Sequence, residues 1–554
     1  MLPRAIGRSA QNYLITNAAW NDGFDTIQFG AGISASDLVY SYANNNNGLK
    51  ITIAAQGSIT IDSEFPFDTQ SQIDQLRFAD GTVLSRQQFI NAALAQMATP
   101  GPDSLIGSNG DDAMNGGAGN DRLDPRNGND IVTGGPGNDT LVESGGNDTY
   151  IYNLGDGDDV ITGGAWNDGF DTIQFGAGIS ASDLVYSYPT NNAGLKITVA
   201  GQGSITIDSE LNYDTSSQVD QLKFADGTVL TRQQFINAAL AQLGTPGADS
   251  LVGSNGDDIV NGGAGADRID PRAGKDVVTG GAGNDTLVES GGNDTYIWNL
   301  GDGDDVITGG FWNDGFDTIQ FGAGIAASDL TYSYANNNNG LKITVAGQGS
   351  ITIDAELVYD TSSQIDQLKF ADGTVLTRQQ LINAALAQIP TAGADSLVGS
   401  SGSDVVNGGA GDDTIDGRGG DDTITGGPGN DLLIGGSGND TYLFNRGDGQ
   451  DTIREWYSLG VGGTGGTDTI QFGAGIAPSD VFVSKTNGGN DLVLSLAESA
   501  DEITISYDVN TPGQQIENVK FADGTVWTHA NLLAKVVPAT DGADLLLGTA
   551  AGDT

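Results

Sequence analysis

Aspartates recur every nine residues in three stretches of this chain. The first holds Asp103, Asp112, Asp121, Asp130, Asp139 and Asp148; the second Asp249, Asp258, Asp267, Asp276, Asp285 and Asp294; the third Asp395, Asp404, Asp413, Asp422, Asp431 and Asp440. Two residues before each stands a glycine, and two residues after it an apolar residue or tyrosine, as in Gly137, Asp139 and Leu141. An acidic linker needs no such period, so the pattern is structural. Carboxylates and backbone carbonyls are hard oxygen donors, and Ca²⁺ accepts about six to eight of them at roughly 2.3–2.6 Å. Mg²⁺ demands a tighter octahedron and gives up water reluctantly. Metals preferring nitrogen or sulfur find no Cys and a single His. The spacing therefore points to Ca²⁺.

Nine is neither a helical nor a simple strand period, so each repeat must join a turn to a short strand. The glycine before the aspartate supplies the positive φ of a tight turn. The triplet that follows, such as Asp139-Thr140-Leu141, turns a β-favouring side chain inward. Two nonapeptides then make one flattened coil, and residues 18 apart stack ~4.8 Å from each other. Asp103, Asp121 and Asp139 fall in one column, and Asp112, Asp130 and Asp148 in the opposite one. Carboxylates stacked at that spacing repel unless a cation lies between them. Asp159, Asp305 and Asp451, in GDGDD or GDGQD, keep the Gly-x-Asp-x-Ile pattern eleven residues further on and join the candidate ligands.

These blocks alternate with segments of another texture. DTIQFGAGI begins at Asp25, Asp171, Asp317 and Asp468, and FADGTV at Phe78, Phe224, Phe370 and Phe521, with spacings of 146, 146 and 151. The last copy carries a five-residue insertion around Gly460–Gly466. The expected division is a partial linker unit with a helix at 1–99, aspartate blocks at 100–161, 247–307 and 393–453, linkers at 162–246, 308–392 and 454–537, and the start of a further block at 538–554. The frame reads as cut at both ends, as in a segment of a longer array or a chain with neighbours at its ends. Within a linker, Phe170–Phe175, Leu184–Tyr188, Leu195–Val199 and Ser204–Asp208 read as short strands. Thr231 with Gln234 has the spacing of a capping box, as do Ser85 with Gln88 and Thr377 with Gln380. Phe235, Ile236, Ala239 and Leu240 give the helix that follows one apolar face. Gly169 before Asp171 suggests that the coil pattern continues past the block. Were everything coiled, a unit would hold ~8 coils over ~39 Å. The helix argues against full continuity and is expected to cover a side or edge of the solenoid.

The strings GGAGNDRLD at Gly116–Asp124, GGPGNDTLV at Gly134–Val142 and GGSGNDTYL at Gly435–Leu443 resemble the calcium-binding nonapeptide of RTX proteins. FADGT with its following helix resembles the haemolysin-related segment that accompanies such repeats. The resemblance implies a mostly all-β fold, in which calcium-loaded parallel β-roll solenoid blocks alternate with β-rich linkers carrying one short helix each. It implies that the eighteen periodic aspartates are side-chain ligands, completed by turn carbonyls, with several Ca²⁺ per chain. It also implies type I secretion through an uncleaved C-terminal signal, hence a secreted, extracellular or cell-surface bacterial protein. Pro125-Arg126 and Pro271-Arg272 depart from the pattern where Gly-Gly leads, and Ala551 replaces glycine before Asp553.

The chain has 554 residues, 72 acidic against 22 basic, and a formal charge of −50. That charge excludes nucleic acid as a partner and disfavours anionic membrane surfaces. No apolar run approaches the ~20 residues of a membrane-spanning helix. A catalytic site is equally hard to assemble. His529, the only histidine, occurs in the fourth copy alone, where the others have Arg86, Arg232 and Arg378. No second carboxylate pair stands apart from the periodic set, and the glycine strings lack the lysine of a phosphate loop. The expectation is a protein without enzymatic activity. Trp20, Trp166 and Trp312 recur before Asn-Asp-Gly-Phe and read either as packing under a turn or as contacts for glycan or a neighbouring chain. The expected function is that of a secreted calcium-binding structural protein, folding and stiffening on Ca²⁺ and self-associating into a filament, surface layer or biofilm matrix. The alternative is the calcium-dependent secretion and folding region of an exoenzyme, toxin or carbohydrate-binding adhesin.

Overall fold

The computed structural model describes residues 5–6, 11–15 and 24–536, apart from 63, 66–72, 144, 164–168, 190–193, 209, 212–218, 290, 310–314, 358–364, 456–465, 487, 489, 507–508 and 510–514. Trp20, Trp166 and Trp312, most of the insertion at 460–466 and the unit opening at Asp544 lie outside these residues. The chain forms two compact units, one of Met1–Gly244 with Leu251–Val260 and Pro271–Ala273, the other of Thr245–Ser250, Asn261–Asp270 and Gly274–Thr554. Both are built mostly of short strands, with four α-helices among the described residues.

In the first unit each nonapeptide delivers a three- or four-residue strand whose alternating pattern points one side chain inward. Successive strands add to two facing parallel sheets. Leu105 pairs in register with Leu123, Leu123 with Leu141, and Leu141 with Ile161. On the other sheet Met114, Val132, Tyr150 and Ile173 follow one another in the same way. All eight side chains are buried, so the core is a double file of apolar residues between the sheets. The second unit repeats this arrangement, for example with Leu397, Ile415, Leu433 and Ile453. The glycine before the aspartate has two distinct reasons to be there. Gly119 has φ +130°, as expected for the turn, but at Gly137 the need is space, since a Cβ would sit 1.6 Å from the Gly119 carbonyl oxygen.

The sheets do not stop where the sequence changes texture at 161–162. Gly157–Thr162 pairs in parallel with Gly203–Ile207, and Thr172–Phe175 with Gln221–Lys223. The expected strands of the linker are present with ends shifted by one or two residues. Leu184–Ser187 and Leu195–Val199 then run antiparallel and leave the coil. Coiling at 18 residues throughout is therefore not what forms: the first sheet has five parallel levels before it turns antiparallel, not eight. The hairpin takes up the residues that further coils would have used.

Each linker ends in its helix: α1 (Arg86–Met97), α2 (Arg232–Leu243), α3 (Arg378–Leu386) and α4 (His529–Lys535). Ser85, Thr231 and Thr377 close capping boxes with Gln88, Gln234 and Gln380, and Thr528 does so with Asn531. Phe235, Ile236, Ala239 and Leu240 form the buried face of α2. The first residue of each of the first three helices makes a further contact. Arg86, Arg232 and Arg378 lie 2.9, 2.8 and 2.8 Å from Glu64, Glu210 and Glu356, whose side chains are fully buried. Arg232 also donates to the Glu210 carbonyl, and Glu210 accepts from the Val219 N–H at 3.0 Å. Breaking a buried pair from one side is costly, because a charge is left uncompensated. Arg232→Met should lower the stability of this segment by about 3–5 kcal/mol. Adding Glu210→Gln, which keeps an acceptor for Val219 without a charge, should recover much of it. Urea unfolding in saturating Ca²⁺ measures both, and equal losses in single and double variants would mean that the stranded charge is not the cause.

Candidate metal centres

The aspartates of successive coils are tied together through their backbones. Asp103 N–H donates to Asp121 Oδ1 at 2.8 Å, Asp121 to Asp139 at 2.8 Å, and Asp139 to Asp159 at 2.9 Å. The opposite column runs from Asp112 to Asp130 at 2.7 Å, to Asp148 at 2.8 Å and to Asp171 at 2.7 Å. The second unit holds the chains Asp249, Asp267, Asp285, Asp305 and Asp395, Asp413, Asp431, Asp451. It also holds Asp276, Asp294, Asp317, Asp366 and Asp404, Asp422, Asp440, Asp468, Glu517. Asp159, Asp305 and Asp451 thus take full places in the columns, although their coils are 20 residues long. Asp258 is buried at the start of the second block and accepts from the Ser254 N–H at 2.6 Å.

One oxygen of each carboxylate is used in this way; the other is what matters for a cation. Oδ2 of Asp121, Asp130, Asp139, Asp267, Asp285, Asp413, Asp422, Asp431 and Asp440 is buried without a hydrogen-bond partner. A buried anionic oxygen left so is expensive unless a cation or proton meets it. Carbonyl oxygens converge on the same place. A Cβ on Gly116 would lie 2.4 Å from Asp121 Oδ2 and 2.6 Å from the Gly134 carbonyl oxygen. For Gly408 the distances are 2.4 Å to Asp413 and 2.6 Å to Gly426. The glycine leaves a small hollow bordered by a carboxylate and a carbonyl, and this all-oxygen donor set suits Ca²⁺.

The first aspartate of each column stands apart. Asp103, Asp249 and Asp395 accept from the N–H of Thr99, Thr245 and Thr391 at 2.6–2.7 Å. Asp112, Asp258 and Asp404 accept from Ser108, Ser254 and Ser400 and from Gln87, Gln233 and Gln379. The glutamines belong to the helices, as does Asn91, which accepts from the Ala113 N–H at 3.2 Å. On the opposite sheet Tyr42 Oη donates to the Ile106 carbonyl at 2.7 Å, and Tyr188 and Tyr334 do the same for Val252 and Val398. Each of the first three linkers therefore covers the open edges of the block that follows it, as the helix was expected to do. The Pro-Arg departures leave the turn intact. Arg126 and Arg272 adopt φ +68°, and the Pro125 carbonyl oxygen lies 2.6 Å from the Cβ position of Gly107, as that of Gly134 does for Gly116.

Asp171, Asp317 and Asp468, with Asp220, Asp366 and Glu517 beyond them, extend the second column outside the nonapeptides. Gly169 before Asp171 hinted at the first of these; the next lies 49 residues on, with no local signal. Burial, reinforced by neighbouring aspartates, pushes Asp139 and Asp431 up to about 6, Asp130, Asp159 and Asp451 to about 8, and Asp422 to about 9, from an ordinary 3.8. Without a cation the folded chain holds more protons than the unfolded one. Its stability is then greatest below about pH 4 and falls as pH rises through about 6 to 9. Ca²⁺ must displace those protons. Adding Ca²⁺ at pH 7 in weak buffer should therefore release protons and bind more weakly at pH 5.5, as read by an indicator dye. Binding with neither effect would contradict this protonation.

A family model described as RTX calcium-binding nonapeptide repeat (4 copies) matches residues 97–125, 126–150, 243–278, 272–296, 390–424 and 416–453. Another, described as haemolysin-type calcium binding protein related domain, matches 46–88, 195–234, 341–380 and 491–531. The iron-regulated protein FrpA of Neisseria meningitidis serogroup C is 29% identical over 117 residues, which are 21% of this chain and 10% of that protein. The extracellular lipase LipA of Serratia marcescens is similar over 49% of this chain and 40% of its own, at 20% identity and a TM-score of 0.17. The AlgE6R3 subunit of the Azotobacter vinelandii mannuronan C5-epimerase is similar over 30% of this chain and 92% of its own, at 23% identity and a TM-score of 0.18. The chain spans a tenth of the FrpA protein and two fifths of the lipase. Its periodic aspartates, paired parallel coils and helix-bearing linkers make it a calcium-binding repeat protein of the RTX family.

Proposed function

We propose that this chain is a secreted, non-catalytic structural protein that folds and stiffens on Ca²⁺, with the 21 column aspartates named from the sequence as its ligand set, and that it self-associates outside the bacterial cell. The observation that carries this reading is the set of buried Oδ2 atoms with no hydrogen-bond partner, stacked coil upon coil. A chain of formal charge −50 with such groups is opposed from folding at low Ca²⁺ by self-repulsion and desolvation. At high Ca²⁺ the binding free energy becomes folding free energy. A protein made where Ca²⁺ is scarce and delivered where it is plentiful gains a switch without any other factor. The repeat family and the absence of a membrane-crossing helix among the described residues are compatible with export by type I machinery.

Self-association is supported by apolar residues that recur on the surface at the unit spacing. Phe24, Phe170 and Phe316 are 73%, 52% and 51% exposed. Single exposed aromatics are common on protein surfaces, and it is their recurrence at equivalent positions that suits contacts between copies. The alternative is that the chain serves as the calcium-dependent folding region of a longer exoprotein, which the match to a tenth of the FrpA protein favours. Negative-stain electron microscopy of the purified chain with millimolar Ca²⁺, and again with chelator, separates the two. Filaments or sheets with Ca²⁺ alone, weakened by Phe170→Ser with Phe316→Ser, are the expected result. Isolated particles in both conditions would favour the folding region, and particles unchanged in size and circular dichroism by chelator would overturn the calcium switch.

A further inference from the structure

Just past the third block stands a carboxylate outside the periodic set. Glu455 is 6% exposed, Asp440 1% and Asp468 2%, and one carboxylate oxygen from each lies within 4.8 Å of the others. Glu455 Oε1 accepts from Tyr442 Oη at 2.6 Å, while Glu455 Oε2 and Asp440 Oδ2 are buried without a hydrogen-bond partner. No Lys or Arg pairs with the three among the described ion pairs. Three carboxylates so close and so buried need positive charge between them.

The first two blocks reach the same composition by another route. Glu143 and Glu289 stand five residues before Asp148 and Asp294, and both are buried. The third block has Gly435 at that position. Conversely, Glu455 stands four residues after Asp451, where Gly163 and Gly309 follow Asp159 and Asp305 in the earlier copies. The two positions are neighbours on adjacent coils: Val142 pairs with Thr162, and Ile434 with Arg454, immediately before them. A Cβ at Gly435 would lie 2.3 Å from Asp440 Oδ2 and 2.5 Å from Tyr442 Oη, so a side chain there would face the groups that Glu455 faces. Glutamate and glycine have exchanged places across the sheet, and the carboxylate has kept its location.

We propose that Glu455, Asp440 and Asp468 form a three-carboxylate site for a hard cation, Ca²⁺ in the native setting, distinct from the sites with one carboxylate per coil, and that Glu143 and Glu289 complete its counterparts. The inference rests on the calcium reading above. With three carboxylates converging where each column hollow is bordered by one carboxylate and a carbonyl, this site fills before the column sites, and Tyr442, bonded to Glu455, lies close enough to report on it. The test is a Tb³⁺ titration of the full chain, exciting tyrosine and reading lanthanide emission, with Ca²⁺ as competitor. Tyr442→Phe should lower the emission of the first equivalents without changing their number. Glu455→Gln should weaken one tight equivalent at least tenfold, whereas Asp413→Asn should leave that equivalent in place. Emission from Tyr442→Phe equal to wild type, or a Glu455→Gln titration superimposable on wild type, would overturn the site and leave a shared proton as the way the cluster is neutralised. Should the unaltered chain bind neither Tb³⁺ nor Ca²⁺, the calcium reading itself fails.

Discussion

One interaction governs this molecule: a carboxylate whose first oxygen is tied to the backbone of the preceding coil and whose second faces carbonyl oxygens. The hydrogen bond from Asp121 N–H to Asp139 Oδ1, and its equivalents, sets the vertical register of the coils. The unsatisfied Oδ2 atoms make that register costly for the chain alone. Apolar files such as Leu105, Leu123, Leu141 and Ile161 supply a core only two side chains thick. Hydrophobic burial by itself is modest in so thin a cross-section, and the oxygen sites must contribute the remainder.

The linkers solve a problem that the coils create. A stack of short parallel strands has open edges at its first turn, and its first aspartates have no earlier coil to bind. Gln87 and Asn91 from α1, with Tyr42 from the hairpin, meet those needs at the start of the first block, and their counterparts do so again later. At the other end of each block the sheets pass directly into the next linker, so block and linker share one core.

Much of this was legible in the chain itself. The nine-residue period placed the aspartates in two columns, and the Thr231–Gln234 spacing located α2. What escaped notice depends on contacts distant in sequence. Glu210 lies 22 residues before Arg232, in an unremarkable polar stretch, and only the folded linker shows them paired. Asp220 follows Asp171 by 49 residues because the hairpin is threaded between two coils. Glu455 was hidden because its counterparts, Glu143 and Glu289, occupy a different phase of the repeat. The nonapeptide pattern signals the φ its glycine supplies, but not that Gly137 is required by the closeness of the preceding coil.

The cap made by Tyr188, Gln233 and Asn237 on the block after them bears on how such chains lengthen by duplication and exchange. The visible repeat invites a crossover at the glycine-rich boundary near residue 246, where sequence texture changes. A crossover there would part a lid from the edge it was fitted to, and the product would work only if the incoming lid matched. Near-identity among the first three linkers, such as LKITVAGQGSITID at Leu195 and again at Leu341, keeps their lids interchangeable, whereas the fourth has Lys485, Ala530 and Ala534 at the positions of Tyr188, Gln233 and Asn237. Uniformity among the first three copies thus permits exchange between them without loss of closure, and a linker that has drifted as far as the fourth falls outside that exchange.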